Sequence, residues 1–166
     1  NKTFHIVTLG CAKNSVDSDA MTQVLRSLGY EETASPRRAK FVIVNTCGFI
    51  ESARAESYDT LSELVQNRKS GQVVIAAGCL AQRYGGDLAG NVPGIDGIIG
   101  TRTWKDIGDV VRRLEDAAAP RPWTHLPPMK TVTSREGIRQ ASVQGASAWL
   151  KIADGCRHRC AFCAIP

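Results

Sequence analysis

The six cysteines of this 166-residue chain form two unlike sets. The crowded set, with C-x-x-x-C-x-x-C spacing, is Cys156, Cys160 and Cys163, and the dispersed set is Cys11, Cys47 and Cys79. In an intracellular chain, cysteines are metal ligands or catalytic groups more often than disulfides, because the cytosol keeps thiols reduced. A loop with three closely spaced thiolates can hold one inorganic core. Three cysteines on a 4Fe-4S cube leave one iron open to a substrate or cofactor.

Zinc is the alternative metal for the crowded set. Together with His158, the three cysteines would supply a Cys₃His set, the kind that closes a tetrahedral zinc site. However, His158 lies inside the three-residue gap between Cys156 and Cys160, where reaching the same ion as both flanking thiols is cramped. We therefore favour iron–sulfur ligation here and interpret His158 as a loop residue.

The elements that must position the dispersed set are strands and helices in alternation. Apolar runs predict buried strands at 4–9, 41–44, 73–77 and 95–99. Helical spacing predicts helices over 15–28, about 49–67, from about 80, and over 104–116. Strands that are apolar on both faces and alternate with helices are typical of a parallel sheet. We predict an α/β fold, a doubly wound, mostly parallel sheet with helices on both faces.

Each dispersed cysteine follows one of these strands, just before a helix. Cys11 comes after the first strand, Cys47 after the second and Cys79 after the third. The carboxyl ends of parallel strands lie along one edge of the sheet, where such folds bind ligands. Taken singly, each cysteine is better explained as a small buried hydrophobic residue. Their shared position predicts that the three thiols converge.

The alternating pattern ends near Ala119. Pro120, Pro122 and the pair at 127–128 interrupt any helix, and 131–147 shows no sustained period. We predict one domain over 1–117, a linker over 118–146, and the first strand of a second, truncated domain within 147–166. Because so few residues follow that strand, we expect a longer parent protein. The fragment should fold over 1–117 without being catalytic by itself.

Composition and charge narrow the class of protein. A chain with 43% hydrophobic residues is too apolar to be disordered, and no run approaches the roughly 18 apolar residues of a membrane span. We expect a cytoplasmic protein without a membrane partner. Residues 1–119 carry 14 basic and 14 acidic side chains, so the excess of positive charge lies in 120–166. We expect no direct nucleic-acid binding by residues 1–117.

Several motifs resemble one known family. The crowded cysteines, with Phe162 before the last, are similar to the cluster loop of radical S-adenosylmethionine (SAM) enzymes. The stretches TLGCAKNSVDS at 8–18, VNTCGFI at 44–50 and GCLAQ at 78–82 resemble the N-terminal domain of the methylthiotransferases. Within that family, CGFIESA at 47–53 and KIADGC at 151–156 resemble the RimO branch, which modifies a ribosomal protein. The resemblance covers essentially the whole chain.

The resemblance implies SAM and two 4Fe-4S clusters as cofactors. The crowded cysteines would hold the cluster whose open iron binds SAM and cleaves it to a 5′-deoxyadenosyl radical. The dispersed cysteines would hold an auxiliary cluster that carries the sulfur. Further family positions beside the cysteines are Asn14, Asp17, Asn45, Thr46 and Phe162. Capping and turn formation explain the first four nearly as well, and Phe162 either shields a cluster or packs.

The implied activity is addition of a methylthio group to the β-carbon of an aspartate in a small-subunit ribosomal protein, free or within the ribosome. An electron donor would be the second partner. One alternative is a tRNA adenosine methylthiotransferase of the same family. Another is an iron–sulfur electron-transfer or cluster-carrier protein, although electron carriers usually complete four cysteines per cluster. A third is a doubly wound binding module with inert thiols.

Overall fold

The computed structural model describes residues 2–126, 136–153, 156, 158 and 160–163. The strands are β1 (Thr3–Thr8), β2 (Glu31–Glu32), β3 (Phe41–Thr46), β4 (Val73–Ala77), β5 (Gly97–Ile99), β6 (Trp123–His125), β7 (Ala141–Gln144) and β8 (Ser147–Leu150). The helices are α1 (Ala12–Ser27), α2 (Glu51–Gln66), α3 (Gly78–Asn91) and α4 (Ile107–Glu115). Every strand and helix predicted over 1–117 is present, with its ends shifted by a few residues at most.

Strands β1 to β6 form one parallel sheet in the order β2-β1-β3-β4-β5-β6. Helices α1 and α4 contribute to the hydrophobic core on one face, and α2 and α3 contribute to the core on the other. The predicted doubly wound α/β fold is confirmed. The chain turns outward from β1 to β2 and then crosses back to β3, so the strand order reverses between β1 and β3. A reversal of this kind opens a crevice at the carboxyl ends of the strands.

The central strands are apolar on both faces because helices cover both. All six residues of β3 are buried, and its side chains alternate between the cores, with Ile43 in one and Val44 in the other. Helix α4 buries a single stripe instead, through Ile107, Val110 and Leu114.

None of the helices in the described residues is long and apolar enough to cross a membrane.

Part of the segment predicted as a linker contributes to the main sheet. Strand β6 pairs in parallel with β5 at the edge of the sheet, and Trp123 packs against the core shared by α1 and α4. Further along, β7 and β8 form an antiparallel hairpin, and β8 overlaps the run predicted to be the first strand of a second domain. A strand of three residues beside prolines is too short to show a periodic pattern in the sequence. It forms because the free edge of β5 offers backbone groups to pair with. The domain boundaries themselves stay a prediction.

Asp96, at the start of β5, ties three parts of this sheet together. One carboxylate oxygen accepts hydrogen bonds from the backbone N–H of Val74 at 2.8 Å and from Arg68 at 2.9 Å. The other accepts a hydrogen bond from Arg121 at 2.5 Å, just before β6. Because Asp96 is buried, these charge-assisted bonds replace its lost hydration.

We expect Asp96→Ala to lower the free energy of unfolding of this chain by about 2–4 kcal/mol, because three donors lose a buried acceptor. The control is Asp109→Ala, which breaks the exposed pair with Arg112 and should cost under about 0.5 kcal/mol. Urea unfolding followed by circular dichroism measures both. Equal losses in the two variants would contradict the role given to Asp96.

Candidate functional site

The structure brings the three dispersed cysteines to one edge of the sheet. Cys11 is the N-cap of α1, Cys47 directly follows β3, and Cys79 lies in the first turn of α3. Strands β1, β3 and β4 are neighbours, and Asn45 pairs in register with Thr8 on one side and Ala77 on the other. The three strands therefore end level with one another. The sheet therefore brings the three cysteine-bearing segments together, as predicted. A ligand role for the thiols stays a prediction.

Two glycines with positive φ allow this close approach. A Cβ placed on Gly10, where φ is +86°, would lie 2.6 Å from the Cβ and 2.8 Å from the Sγ of Cys47. A Cβ on Gly78, where φ is +93°, would lie 2.5 Å from the carbonyl oxygen of Thr46. Both distances are far below van der Waals contact, and this region of φ is itself unfavourable for other residues. The turns before Cys11 and Cys79 therefore need glycine.

A buried polar network holds the turns together. The Asn14 side-chain amide donates to the carbonyl of Leu9 at 2.7 Å and to that of Thr46 at 3.0 Å. The Asn45 amide donates to the backbone carbonyl of Asn14 at 2.8 Å and to the hydroxyl of Ser18 at 3.0 Å. The Thr46 hydroxyl donates to the carbonyl that ends β4. These residues cross-link α1, β3 and β4 rather than cap a helix.

Ser57 was not predicted as a site residue, although it holds the backbone of Cys47. Its hydroxyl accepts from the Cys47 N–H at 3.0 Å and donates to the Cys47 carbonyl at 3.0 Å. Both the serine and Leu61, one turn later on α2, are fully buried. The position of Ser57 in the apolar stripe of α2 could have indicated this role from the sequence, because a buried hydroxyl needs a hydrogen-bond partner.

Charge near the site comes from two further side chains, Lys13 and Asp17. Burial raises the pKa of the Cys79 thiol, Lys13 lowers it, and Cys11, Cys47 and Asp17 raise it by smaller amounts. Lys13 Nζ lies 4.0 Å from a carboxylate oxygen of Asp17. Lys13 was part of the recognised motif but was not predicted to act, and it places a positive charge beside the thiols.

The crowded set lies in an exposed loop. Cys156 and Cys160 are exposed and Cys163 is half-buried. The N–H of Cys163 donates to the carbonyl of Cys160 at 3.0 Å, which closes a turn between them. Phe162 is 93% exposed, so it packs against little in the described part of the chain, and its shielding role stays a prediction.

The dispersed cysteines supply thiols, the donor type that iron–sulfur clusters take. Among the described residues, no three His, Cys, Asp or Glu side chains are gathered closely enough to hold one metal ion. A cluster takes cysteine thiolates spread around a cube, which is a wider arrangement. Beside Gly10, the Cys47 side chain already occupies the space that a Cβ would fill, so the glycine lets Cys47 pack against the turn before Cys11. The donor chemistry of the dispersed set is compatible with an iron–sulfur cluster.

We expect Gly78→Ala to destabilise the chain by at least about 2 kcal/mol more than Gly71→Ala. Both residues have positive φ, but a Cβ on Gly71 meets nothing within 4 Å, so that variant measures backbone strain alone. Urea unfolding of the two variants isolates the steric cost at the site. Similar losses would show that the turn before Cys79 can relax.

The raised pKa of Cys79 predicts slow alkylation in the metal-free protein. At pH 7 little of this thiol is ionised, so iodoacetamide should modify the exposed Cys11 faster, and the rate at Cys79 should climb as pH rises above the usual thiol range. Peptide mass spectrometry gives both rates, and the urea-unfolded chain serves as control. Equal rates in the folded protein would contradict the buried, less ionised state.

Comparisons with known proteins identify relatives of this chain. A model of the family described as "Uncharacterized protein family UPF0004" matches residues 3–100, which include the three dispersed cysteines. A protein of Chloroflexus aurantiacus named "Ribosomal protein uS12 methylthiotransferase RimO" is 43% identical over 98% of this chain and 38% of its own length. Proteins of the same name from Roseiflexus sp. (39% identical; 98% of this chain, 38% of its own) and Bdellovibrio bacteriovorus (38%; 100% and 36%) are also similar.

The chain thus spans less than half the length of these relatives. The family model matches more than half of the chain and confirms the resemblance inferred from the cysteine motifs. The matched part includes the sheet edge at which the dispersed cysteines lie. This chain belongs to the RimO methylthiotransferase family.

Proposed function

We propose that this chain is part of a cytoplasmic enzyme that transfers a methylthio group to ribosomal protein uS12, at the β-carbon of an aspartate. The observation that carries the proposal is the convergence of Cys11, Cys47 and Cys79 at one sheet edge in a chain of the RimO family. The names of the relatives support the substrate. The proposal concerns the whole protein, with an electron donor as a further partner.

In this proposal each cysteine set holds one 4Fe-4S cluster. Cys11, Cys47 and Cys79 are the ligands of the auxiliary cluster, and Cys156, Cys160 and Cys163 are those of the cluster that binds SAM. When bound, these groups supply the radical chemistry and the site of the transferred sulfur. Three ligands for each cluster match three cysteines in each set.

The protein's own contribution is to hold and tune these ligands. Ser57 forms two hydrogen bonds to the backbone of Cys47. These bonds fix the position of the backbone that carries this buried ligand. Lys13 stabilises negative charge beside Cys79 and so favours the thiolate, which is the form that binds iron. Cys11 is exposed, and Phe49 and Ile50 beyond Cys47 are exposed as well, so one side of the site is open to a substrate.

The alternatives have less support. An electron carrier usually completes four cysteines per cluster, whereas each set here has three. The relatives compared above are named for a ribosomal-protein enzyme, so we do not propose activity on tRNA adenosine. A binding module with inert thiols predicts that no iron is bound, which the next experiment tests.

We expect the two cysteine sets to bind iron independently. In full-length protein prepared without oxygen, replacing all three dispersed cysteines with Ala should leave about half of the iron and sulfide, and replacing the crowded three should leave the other half. Iron and sulfide analysis with optical spectra measures both. Loss of all iron from either triple variant would contradict independent binding, and an iron-free unaltered protein would support inert thiols.

The substrate prediction is tested with purified uS12 and tRNA. After reaction of the full-length enzyme with SAM and reductant, mass spectrometry should find a methylthio group on an aspartate of uS12 and none on tRNA. Protein lacking the three dispersed cysteines is the control and should form no product. A methylthio group on tRNA adenosine alone would assign the chain to the other branch.

A further inference from the structure

A buried ion pair joins the N-terminal sheet domain to the segment that leads into the crowded cysteines. Lys151 Nζ lies 2.5 Å from a carboxylate oxygen of Asp17, and the two side chains are only 3% and 4% exposed. Asp17 is on α1, six residues after Cys11, and Lys151 is five residues before Cys156. The pair therefore connects the two cysteine sets across 134 positions of sequence.

Asp17 faces a cation from each side. Its second carboxylate oxygen lies 4.0 Å from Lys13, which neighbours the dispersed cysteines. Lys151 contacts the first oxygen, so one buried carboxylate stands between the positive charges of the two segments. A carboxylate this deeply buried needs such partners, since an unpaired charge in that position is strongly unfavourable.

Weaker contacts complete the docking of the β7–β8 hairpin on α1. The Gln23 side chain donates to the Arg139 carbonyl at 3.2 Å and accepts from the Arg139 N–H at 3.1 Å. Just before the hairpin, Ile138 packs against the core beneath α1. The bond from the Lys151 N–H to the Gln140 carbonyl, at 2.9 Å, joins the two arms of the hairpin to each other. The contacts of Gln23 and Ile138 hold the start of the hairpin on α1, while the ion pair holds its end.

We propose that Asp17 and Lys151 are positioning residues, which fix the loop of the crowded cysteines relative to the sheet edge of the dispersed cysteines. This inference rests on the proposed function, in which the two sets act on one substrate. A reaction between centres carried by separate segments requires a fixed separation, and a displacement of about 1 Å can cost about a hundredfold in rate. A buried ion pair suits this task because separating its partners would leave an uncompensated charge in a buried position.

The first test measures docking without activity, by hydrogen–deuterium exchange of the metal-free full-length protein. In Lys151→Met and Asp17→Asn, the amides of 141–150 should exchange at least about tenfold faster, because the hairpin loses its buried anchor. Lys151→Arg keeps the charge and should restore part of the protection. Arg26→Gln is the matched control, since Arg26 is on the same helix as Asp17 but its 2.7 Å pair with Glu32 of β2 is exposed, at 63% and 35% for the two side chains.

The second test asks whether docking positions the chemistry. Lys151→Met should keep the iron of both sets, yet release at least about tenfold more 5′-deoxyadenosine per methylthio product than the unaltered enzyme. Unchanged exchange, iron loss, or an unchanged product ratio would each overturn the positioning role. An unaltered enzyme that makes no methylthio product would contradict the proposed function instead, and the exchange experiment would still decide whether the pair fixes the loop.

Discussion

The parallel pairing of β1, β3 and β4 is the constraint on which the candidate site depends. Asn45 lies in register between Thr8 and Ala77, so the chain leaves all three strands at the same level of the sheet. A cysteine placed one to three residues after each strand must then lie at a common edge. The strand order also reverses between β1 and β3, beside two of these cysteines, and folds of this type bind ligands at such a position.

Close approach of the turns requires small residues and satisfied polar groups at once. Gly10 and Gly78 remove the side chains that would otherwise collide with the neighbouring strand ends. The peptide groups exposed by these turns are paired by Asn14 and Asn45, whose amides donate to backbone carbonyls of two elements. A buried network of this kind tolerates few alternative arrangements, because each broken bond leaves a polar group without water. These bonds fix the strand ends and the turns relative to one another.

Electrostatics links this sheet edge to the later part of the chain. Residues 1–119 have no net charge, so the sequence average suggests no particular role for charge there. In the structure, Lys13 and Asp17 lie beside the cysteines, and Asp17 is also paired with Lys151. One positive charge of the later segment, that of Lys151, therefore forms a buried ion pair with α1.

Much of the fold follows from local patterns. Strands β3 and β4 could be predicted because helices cover both of their faces, so each contains a continuous apolar run. Helix ends and strand ends are predicted to within a few residues, and with them the position of each dispersed cysteine. Strand β6 is not predictable in this way, because only three residues form it and their partner is the free edge of β5.

The sequence by itself determined the α/β class, the two cysteine sets and the common edge of the dispersed set, because periodicity and strand ends are local properties of the chain. Tertiary structure alone decided that Ser57 holds Cys47 and that Lys151 pairs with Asp17. Each of these contacts joins a helix to a residue that follows a strand elsewhere in the chain, 10 and 134 positions away. No local pattern encodes such a partner, because the contact depends on how the packed helices and strands place two side chains in the same buried space.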